Sequence, residues 1–542
     1  EHKYTIVLDD ITSSGLHFAE LESDIAGKPF IPGEDIKIQA VAYSTSALAN
    51  IAYSGEKTTN SLFDSFADVD EDGTAETTYI SSIRHLENLD KKVSNLGTAA
   101  AEGSEKFAIS AAVQKTDLDW KTFKTNTRED ATQIYHSTDI GSFYNANQTT
   151  TAANYYPISP DYALTYDGRS HSISNITASA DDAGLFGKTA DSTVTSISNL
   201  ELIDFSITGT TSAGALAGTL TGTDVTNVLA RNSSADATAA ISATGNSGMA
   251  GGLIGNMIGS TTGNVTASAA SLIVSATGSN GTAGGLIGTA SGTITGCYSG
   301  GHTDQGEYYD HDSDTGARKT AIYNVTATGT DGTAGGLVGS YSAYSGSGIT
   351  YSYSTCSVSG TTSGGFVGST GSTGGSTPTI SHCYCTGLVN IDDGITDNAF
   401  IGSGNLNASS TDNHFYEIVN EVLTEDESGN VTAVTYKGSG SEAVTAFDGT
   451  ATSFNAFVGS SADWQSAKAY DTALSGSYAG KYNLKTVDQL DTDTTTDYGN
   501  YFVSTHYGDW PAPEIFFENA PGGNNQDGNT QGDNNQGGST QD

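Results

Sequence analysis

The stretch that decides the fold is Gly284-Gly-Leu-Ile-Gly288, one of seven related copies of a short glycine motif. The other copies are Ala183-Gly-Leu-Phe-Gly187, Ala213-Gly-Ala-Leu-Ala-Gly218, Gly251-Gly-Leu-Ile-Gly255, Gly335-Gly-Leu-Val-Gly339, Gly364-Gly-Phe-Val-Gly368 and the degenerate Ala399-Phe-Ile-Gly402. Their last glycines are 29 to 37 residues apart, except for one interval of 51 residues. A nearly constant period of this length indicates one structural unit that is repeated along the chain.

The segments between the copies alternate apolar with small polar residues, as in Val194-Thr-Ser-Ile-Ser-Asn-Leu200 and Ile349-Thr-Tyr-Ser-Tyr-Ser354. Alternation of this kind is typical of short β-strands, and the Gly-rich clusters between them are typical of turns. The sequence therefore predicts an all-β chain that forms a parallel β-solenoid of stacked coils. We expect the motif glycines to allow a tight corner or a positive φ, with Leu, Ile, Val or Phe pointing into the core. The alternative is a β-sandwich with Gly-rich turns, which does not repeat its sequence at a constant period.

The motif resembles the GLUG repeat of bacterial surface adhesins and of some large secreted peptidases. The entry segment Tyr166-Asp-Gly-Arg-Ser-His-Ser-Ile-Ser-Asn-Ile176 resembles the same family, and the resemblance covers residues 79–412. It implies a right-handed β-helix that forms a rod on the cell surface, and it implies no single shared activity.

The regions on either side of the repeats have different sequence patterns and are predicted to form separate parts of the chain. We expect an N-terminal β-domain of immunoglobulin-like type over 1–75, a solenoid entry with an N-terminal cap over 76–170, and the repeats over 171–412. A C-terminal cap is predicted over 413–519, followed by a disordered tail rich in Gly, Asn, Gln and Asp over 520–542.

The charge of the chain limits its partners. Lys and Arg number 21 against 62 Asp and Glu, a formal net charge of −41. Such a chain lacks the basic surface that nucleic acid requires, and no stretch has the apolar length that membrane insertion requires. A Gly-, Ser- and Thr-rich acidic surface is common in extracellular β-proteins. We therefore expect a monomeric protein on the bacterial cell surface.

Two acidic segments are candidate calcium sites. Asp68, Asp70, Asp72 and Glu76 match the first half of a calcium-binding loop, but Tyr79 stands where the loop requires Glu. Asp310, Asp312 and Asp314 alternate within the insertion 301–319, which accounts for the long interval between motif copies. For both segments the alternative is a solvated acidic loop without an ion.

Aromatic side chains are the candidate ligand contacts, because their faces stack on sugar rings and anchor protein partners. Tyr308 and Tyr309 lie in the insertion, and Tyr341 and Tyr344 lie in the repeats. The alternative is that the alternating pattern turns some of these tyrosines into the core.

All four cysteines lie within the repeats. Cys297 and Cys383 take equivalent places two coils apart, which puts them about 10 Å apart and too far for a disulfide. Cys356 and Cys385 lie on adjacent coils and are close enough for a bond if their register matches. Buried free thiols are the alternative.

The repeats contain few of the residues that polysaccharide-active enzymes require. A polysaccharide lyase needs a base and cations, yet the basic residues between 185 and 413 are only Lys188, Arg231, Arg318 and Lys319. Paired carboxylates for a hydrolase are not evident in the coils. Ice binding or self-assembly through threonine columns is a third class, and regular Thr-x-Thr at matching positions of successive coils is not evident either.

The sequence thus predicts a non-enzymatic adhesin that binds a host or matrix glycoprotein or a polysaccharide. A structural component of a surface fibre and a polysaccharide-active enzyme are the alternatives.

Overall fold

A computed structural model shows how the repeats are arranged. It describes residues 35–38, 41–42, 52–53, 57–60, 65–67, 74–87, 89, 106–121, 134–135, 149–150, 154–160, 162–189, 194–233, 239–258, 263–300, 324–372, 375–385, 387–390, 396–411, 413–416, 421–425, 431–436, 438–441, 444–447, 482–483 and 512–513.

The N-terminal elements lead into the solenoid. They are β1 Asp35–Ile38, β2 Val41–Ala42, β3 Ala52–Tyr53, β4 Lys57–Asn60, β5 Ser65–Ala67, β6 Thr74–Ile80, α1 Ile83–Glu87, β7 Lys106–Gln114, β8 Leu118–Asp119, β9 Ile134–Tyr135 and β10 Thr149–Thr150. β1 pairs with β4 and β2 with β3, each in antiparallel fashion, whereas β6 pairs with β7 in parallel. β7 and β8 then pair in parallel with the first strand of the repeats, so the solenoid begins before the first motif copy.

Seven coils follow. Coils 1 and 2 have three strands each: β11 Leu164–Ser174, β12 Thr177–Ala183 and β13 Phe186–Lys188 in coil 1, and β14 Val194–Ile203, β15 Ser206–Ala213 and β16 Ala217–Thr221 in coil 2. Coils 3 and 7 have four strands each: β17 Asp224–Arg231, β18 Ala240–Ala243, β19 Met249–Gly251 and β20 Ile254–Ile258 in coil 3, and β36 Thr379–Ser381, β37 Cys383–Cys385, β38 Thr396–Asn398 and β39 Ile401–Ser403 in coil 7. Coils 4 to 6 have five strands each: β21 Asn264–Thr266, β22 Ala269–Ser271, β23 Ile273–Ala276, β24 Thr282–Gly284 and β25 Ile287–Ala290 in coil 4; β26 Thr293–Thr295, β27 Tyr298–Ser299, β28 Val325–Ala327, β29 Thr333–Gly335 and β30 Val338–Ala343 in coil 5; and β31 Gly348–Thr350, β32 Tyr353–Ser354, β33 Val358–Gly360, β34 Thr362–Gly364 and β35 Val367–Ser372 in coil 6.

The remaining strands come after coil 7. They are β40 Asn413–Tyr416, β41 Glu421–Glu425, β42 Val431–Tyr436, β43 Val444–Phe447, β44 Tyr482–Asn483 and β45 Ala512–Pro513. β40 and β43 continue the parallel stacking of coil 7, while β41 and β42 form an antiparallel hairpin between them.

Each coil contributes strands to three parallel sheets, numbered 1 to 3 in the order in which the chain visits them. In coils 1 to 5 every strand pairs with the equivalent strand of the next coil, and the motif copies are in register: Gly251 faces Gly284, then Gly335, then Gly364. The fold class predicted from the sequence, an all-β parallel solenoid, is confirmed. The sandwich alternative is wrong, because sandwich sheets are antiparallel and these are parallel throughout the coils.

The core of the solenoid is narrow. The apolar residues of the motif are fully buried, among them Leu253, Leu286, Leu337, Phe366 and Phe400. On sheet 1 the inward residues that face the motif are small, and they are Ala270, Ser299, Ser354 and Cys385. Because the side chains that face the glycine corner are small, the interior of each coil is thin.

The second glycine of each motif copy is required by close backbone approach. A Cβ added to Gly285 would overlap the carbonyl oxygen of Gly336, and a Cβ on Gly336 would overlap that of Gly365. The same Cβ on Gly336 would also lie 2.5 Å from Oγ of Ser354. Of the two roles expected for the motif glycines, the tight corner is the one found, since these two do not adopt positive φ.

No helix in the described parts of the chain is long and apolar enough to cross a membrane.

We expect Gly336→Ala to lower the free energy of unfolding by about 3 kcal/mol, because the new methyl group overlaps backbone that cannot move without displacing the next coil. Gly300→Ala is the matched control, because a Cβ there meets its nearest atom at 3.5 Å. That change should stay within about 0.5 kcal/mol of the unmodified protein. Urea unfolding measures both, and equal stability of the two variants would contradict the close-approach argument.

Candidate ligand-binding surface on sheet 1

The outer side of sheet 1 carries an unbroken column of hydroxyl groups. Val225, Val265, Ile294, Ile349 and Ile380 are fully buried and point inward at one position of successive coils. The next residue in each strand therefore points outward. These residues are in register over six coils, and we call them the hydroxyl column: Ser198, Thr226, Thr266, Thr295, Thr350 and Ser381. The first five are partly exposed, whereas Ser381 is buried.

Each strand segment of sheet 1 is bent directly after the hydroxyl column. The residue at the bend has a left-handed conformation, with φ between 46° and 63° in every one of six coils. We call this set the kink column: Asn199, Asn227, Ala267, Gly296, Tyr351 and His382. Asn and Gly tolerate this conformation, whereas Ala and Tyr adopt it at a cost.

The kink column is bonded along the stack at its N-terminal end. Asn199 Nδ2 donates to Oδ1 of Asp167 at 3.0 Å, and Asn227 Nδ2 donates to Oδ1 of Asn199 at 3.0 Å. Asn227 is only 4% exposed, and its Oδ1 has no hydrogen-bond partner. At the equivalent position of coil 4, Ala267 has no polar side-chain group to offer that oxygen.

Aromatic rings replace the amides in the last coils. Tyr351 and His382 of the kink column stack in parallel with centroids 4.8 Å apart. Two positions further along the strands, Tyr298 stacks on Tyr353 at 5.0 Å and Tyr353 on Tyr384 at 4.9 Å. Tyr353 and Tyr384 are buried, and burial raises the pKa of the Tyr384 hydroxyl. Tyr298, Tyr351 and His382 remain partly exposed.

The charges beside these columns are acidic or neutralised. Asp224, exposed at the start of coil 3, accepts hydrogen bonds from N and Nδ2 of Asn264 at 2.9 and 3.0 Å. Arg231, at the far edge of sheet 1, binds Oε1 of Glu201 through Nε at 2.6 Å. The two columns themselves contain no Lys or Arg. The surface therefore suits a neutral, hydroxyl-rich ligand better than an anionic one.

Several residues predicted from the sequence take other places. Tyr341 lies in the core, and its hydroxyl donates to the carbonyl of Gly292 at 2.9 Å. Tyr341 therefore presents no ring face to a ligand, because strand alternation turns it inward. Tyr344 is partly exposed in the turn after β30, where its carbonyl accepts from N of Ser347 at 3.1 Å. Tyr308 and Tyr309 lie outside the described residues.

The calcium predictions stay open. Asp68, Asp70, Asp72, Asp310, Asp312 and Asp314 lie outside the described residues, while Glu76 is half-buried in β6. Within the described residues, no group of three His, Cys, Asp or Glu side chains is placed to hold a metal ion.

Sequence reasoning missed the hydroxyl column. The column mixes Ser with Thr and is not a regular Thr-x-Thr pattern, which the sequence analysis looked for. The signal is Val or Ile followed by Ser or Thr in the first strand of coils 2 to 7, as in Asn264-Val-Thr266, Thr293-Ile-Thr295 and Thr379-Ile-Ser381. Alignment on the glycine motif hides it, because the number of residues between motif and triplet differs from coil to coil.

The four cysteines are free and buried. Cys385 pairs with Ser354, two residues away from Cys356, and Sγ of Cys356 lies 3.1 Å from the carbonyl oxygen of Gly300. The register therefore does not place Cys356 and Cys385 opposite each other. Burial raises the pKa of the Cys297 and Cys356 thiols to about 12.

Comparison with known proteins adds little to the geometry. No protein-family model matches the chain, and no curated protein matches it either. Among solved structures, the chain is similar to one from Bacteroides ovatus described as "a putative immunoglobulin A1 protease". The two are 17% identical with a TM-score of 0.38, and the match covers 73% of this chain and 90% of that one.

We expect Ala267→Asn to raise the free energy of unfolding by about 1–2 kcal/mol. Asn tolerates the left-handed conformation better than Ala, and its amide can donate to the unpartnered Oδ1 of Asn227. Ala267→Gly is the matched variant, because it relieves the strain of the left-handed backbone without adding a hydrogen-bonding group. If Asn stabilises no more than Gly in thermal unfolding, the added hydrogen bond does not form.

Stability should fall above pH 9. Unfolded thiols ionise near pH 9, whereas Cys297 and Cys356 stay protonated up to about pH 12 in the folded protein. Their raised pKa therefore stabilises the fold below pH 9, and this contribution is lost as the pH rises toward 12, by about 1.4 kcal/mol per pH unit and thiol. Urea unfolding at pH 8, 9.5 and 10.5 should show a shallower decline for Cys297→Ala. Ser299→Ala, which removes a buried hydroxyl that does not titrate, should keep the original slope.

Proposed function

We propose that the protein is an extracellular bacterial surface adhesin whose solenoid binds a neutral glycan, either free or carried by a host or matrix glycoprotein. The observation that carries this proposal is the outer side of sheet 1, where a six-coil hydroxyl column runs beside partly exposed aromatic rings. Hydroxyl groups exchange hydrogen bonds with sugar hydroxyls, and aromatic faces pack on the apolar faces of pyranose rings.

The architecture supports the same proposal. A solenoid grows by adding coils, so it extends a surface along one axis at a constant spacing of about 4.8 Å. A rod of this kind projects a binding surface away from a cell. The resemblance of the glycine motif to GLUG repeats supports a place on the bacterial surface.

The net negative charge of the chain favours a neutral ligand over an anionic one. A net charge of −41 repels nucleic acids and heavily sulfated or sialylated polymers. Neutral polysaccharides carry no such penalty. The two acidic segments identified in the sequence are the basis for including calcium in this proposal.

A structural role in a surface fibre is the second candidate, and the regularity of the hydroxyl column favours it. Six identical positions at one spacing form a flat, repetitive surface that suits lateral packing of rods as well as ligand binding. The two functions differ in whether a soluble glycan is bound at all.

A glycan array probed with the full chain separates the two candidates, run with and without a calcium chelator. We expect binding to neutral oligosaccharides and none to sialylated or sulfated ones. Retention of binding in chelator would remove calcium from the ligand contact. Silence under both conditions would overturn the glycan proposal and favour the structural role.

A further inference from the structure

Tyr344 differs from the other tyrosines of coils 4 to 7. The others that the structure describes are held by ring stacking or by a hydrogen bond in the core: Tyr298, Tyr341, Tyr351, Tyr353 and Tyr384. The side chain of Tyr344 is partly exposed, and it makes no hydrogen bond or ring contact with any residue that the structure describes. We propose that Tyr344 and the outer side of sheet 3 beside it form a second glycan site, which holds one sugar ring of a neutral glycan.

The turn that carries Tyr344 is fixed to the neighbouring coil. N of Ser347 donates to the carbonyl of Tyr344 at 3.1 Å, and Gly346 at the third position of the turn has φ 89°. A positive φ at that position is what a type II turn requires, and glycine adopts it without strain. Oγ of Ser347 also donates to the carbonyl of Ser291, in the corner between coils 4 and 5, at 3.2 Å. The turn therefore presents Tyr344 from a defined position, which lowers the entropy cost of binding a ligand.

Strand alternation places Tyr344 at the edge of the outer side of sheet 3. In β30, Tyr341 and Ala343 are buried, whereas Ser340 and Ser342 are partly exposed. Tyr344 follows directly and continues this alternation, so it lies on the same side of the sheet as Ser342. The ring is therefore next to the serine hydroxyls of its own strand and outside the core.

Hydroxyl groups that can bind a sugar lie beside the ring. Ser342 in coil 5 and Thr289 in coil 4 are partly exposed, and their hydroxyls make no hydrogen bond to the described residues. Thr289 pairs with Ser340, whose Oγ accepts from Oγ of Ser369 at 3.1 Å. Ser342 precedes Tyr344 by two residues, or about 7 Å along the strand. A sugar that packs on the ring can therefore direct a hydroxyl to Ser342, which both donates and accepts hydrogen bonds.

The corners around Tyr344 leave room for a ligand. Gly346 in its own turn is exposed, and a Cβ added there would meet no atom within 4 Å. Ser372 pairs with Ala343, so the next corner stacks on this turn, and its Gly375 is equally exposed and open. Exposed glycines allow a ligand to approach the backbone closely.

The lack of charge on sheet 3 favours a neutral ligand. Its strands in coils 2 to 7 contain no Asp, Glu, Lys or Arg: β16, β20, β25, β30, β35 and β39. Lys188 of β13 is the nearest charged residue within the strands of this sheet, and it lies four coils, or about 19 Å, from the level of Tyr344. An anionic sugar finds no cation on this side of the solenoid, whereas a neutral sugar needs none.

This inference rests on the proposed function for the class of ligand, but it assigns the contact to a different sheet. The hydroxyl column lies on sheet 1, and Tyr344 borders sheet 3. The two sites are therefore separable, because a change at Tyr344 leaves every residue of sheet 1 in place.

The decisive variant is Tyr344→Ala, which removes the ring. Tyr344→Leu keeps an apolar side chain without an aromatic face, and Tyr344→Phe keeps the aromatic face without the hydroxyl. Ser345→Ala is the matched control, because Ser345 is exposed in the same turn and its change leaves the ring in place. Circular dichroism and melting temperature report whether each variant keeps the solenoid.

Native mass spectrometry counts the ligands that each chain binds, because loss of one of two sites changes the number of bound ligands. The probes are maltotetraose, cellotetraose, chitotetraose and the neutral oligosaccharides that the array identifies. We expect the unmodified protein, Tyr344→Phe and Ser345→Ala to bind one ligand more than Tyr344→Ala and Tyr344→Leu do. At the Tyr344 site, loss of the ring face should weaken binding about tenfold.

A folded Tyr344→Ala variant that binds as many ligands as the unmodified protein would overturn the second site and leave the adhesin proposal standing. If that variant binds none, Tyr344 carries the glycan contact by itself, and the assignment of binding to sheet 1 is wrong. Absence of binding by the unmodified protein to every glycan tested would overturn both. Equal binding by Tyr344→Leu and Tyr344→Phe would show that stacking on an aromatic face is not the contact, and would overturn the site as proposed.

Discussion

The structure depends on the close contact between the second glycines of successive motif copies. At this corner the backbone of one coil lies directly against the carbonyl of the next, with no room for a side chain between them. The contact holds the corners of sheets 2 and 3 at the same spacing as the hydrogen-bonded strands. It also keeps the interior thin, because the residues of sheet 1 that face the corner are Ala270, Ser299, Ser354 and Cys385. The burial of Cys385 and its raised pKa follow from this geometry and require no functional role.

The bend in sheet 1 is the second constraint that each coil must meet. One residue per coil takes a left-handed conformation, and the neighbouring coils must then satisfy or shield its side chain. Asn199 and Asn227 do so through an amide ladder, Gly296 by having no side chain, and Tyr351 and His382 by stacking. Ala267 meets the constraint least well, since it adopts the strained conformation and leaves the oxygen of Asn227 without a partner. We therefore expect stability along this column to be uneven and lowest at Ala267.

Much of the fold was predictable from the sequence because the glycine motif enters the structure in register. A constant period and alternating strands imply stacked coils, and the register Gly251, Gly284, Gly335 and Gly364 shows why the copies align. The binding surface was less predictable. The hydroxyl column follows the start of each coil, and coil lengths differ, so alignment on one corner loses the register of the opposite sheet. Tyr341 was assigned to the surface because aromatic content alone does not tell which side of a strand a ring takes.

In the proposed adhesin, the regular and the irregular parts of sheet 1 contribute differently to ligand binding. A column that repeats a Ser or Thr hydroxyl over six coils offers several similar contacts, which would strengthen the binding of a long polymer without fixing its register. The stacked aromatic rings of coils 5 to 7 form a place that the other coils do not repeat. Specificity needs such a place, because it is a difference between affinities and equal contacts contribute equally to every sugar polymer. In the proposed adhesin the repeated hydroxyls would therefore lengthen the contact, and the aromatic rings of coils 5 to 7 would select among sugar polymers.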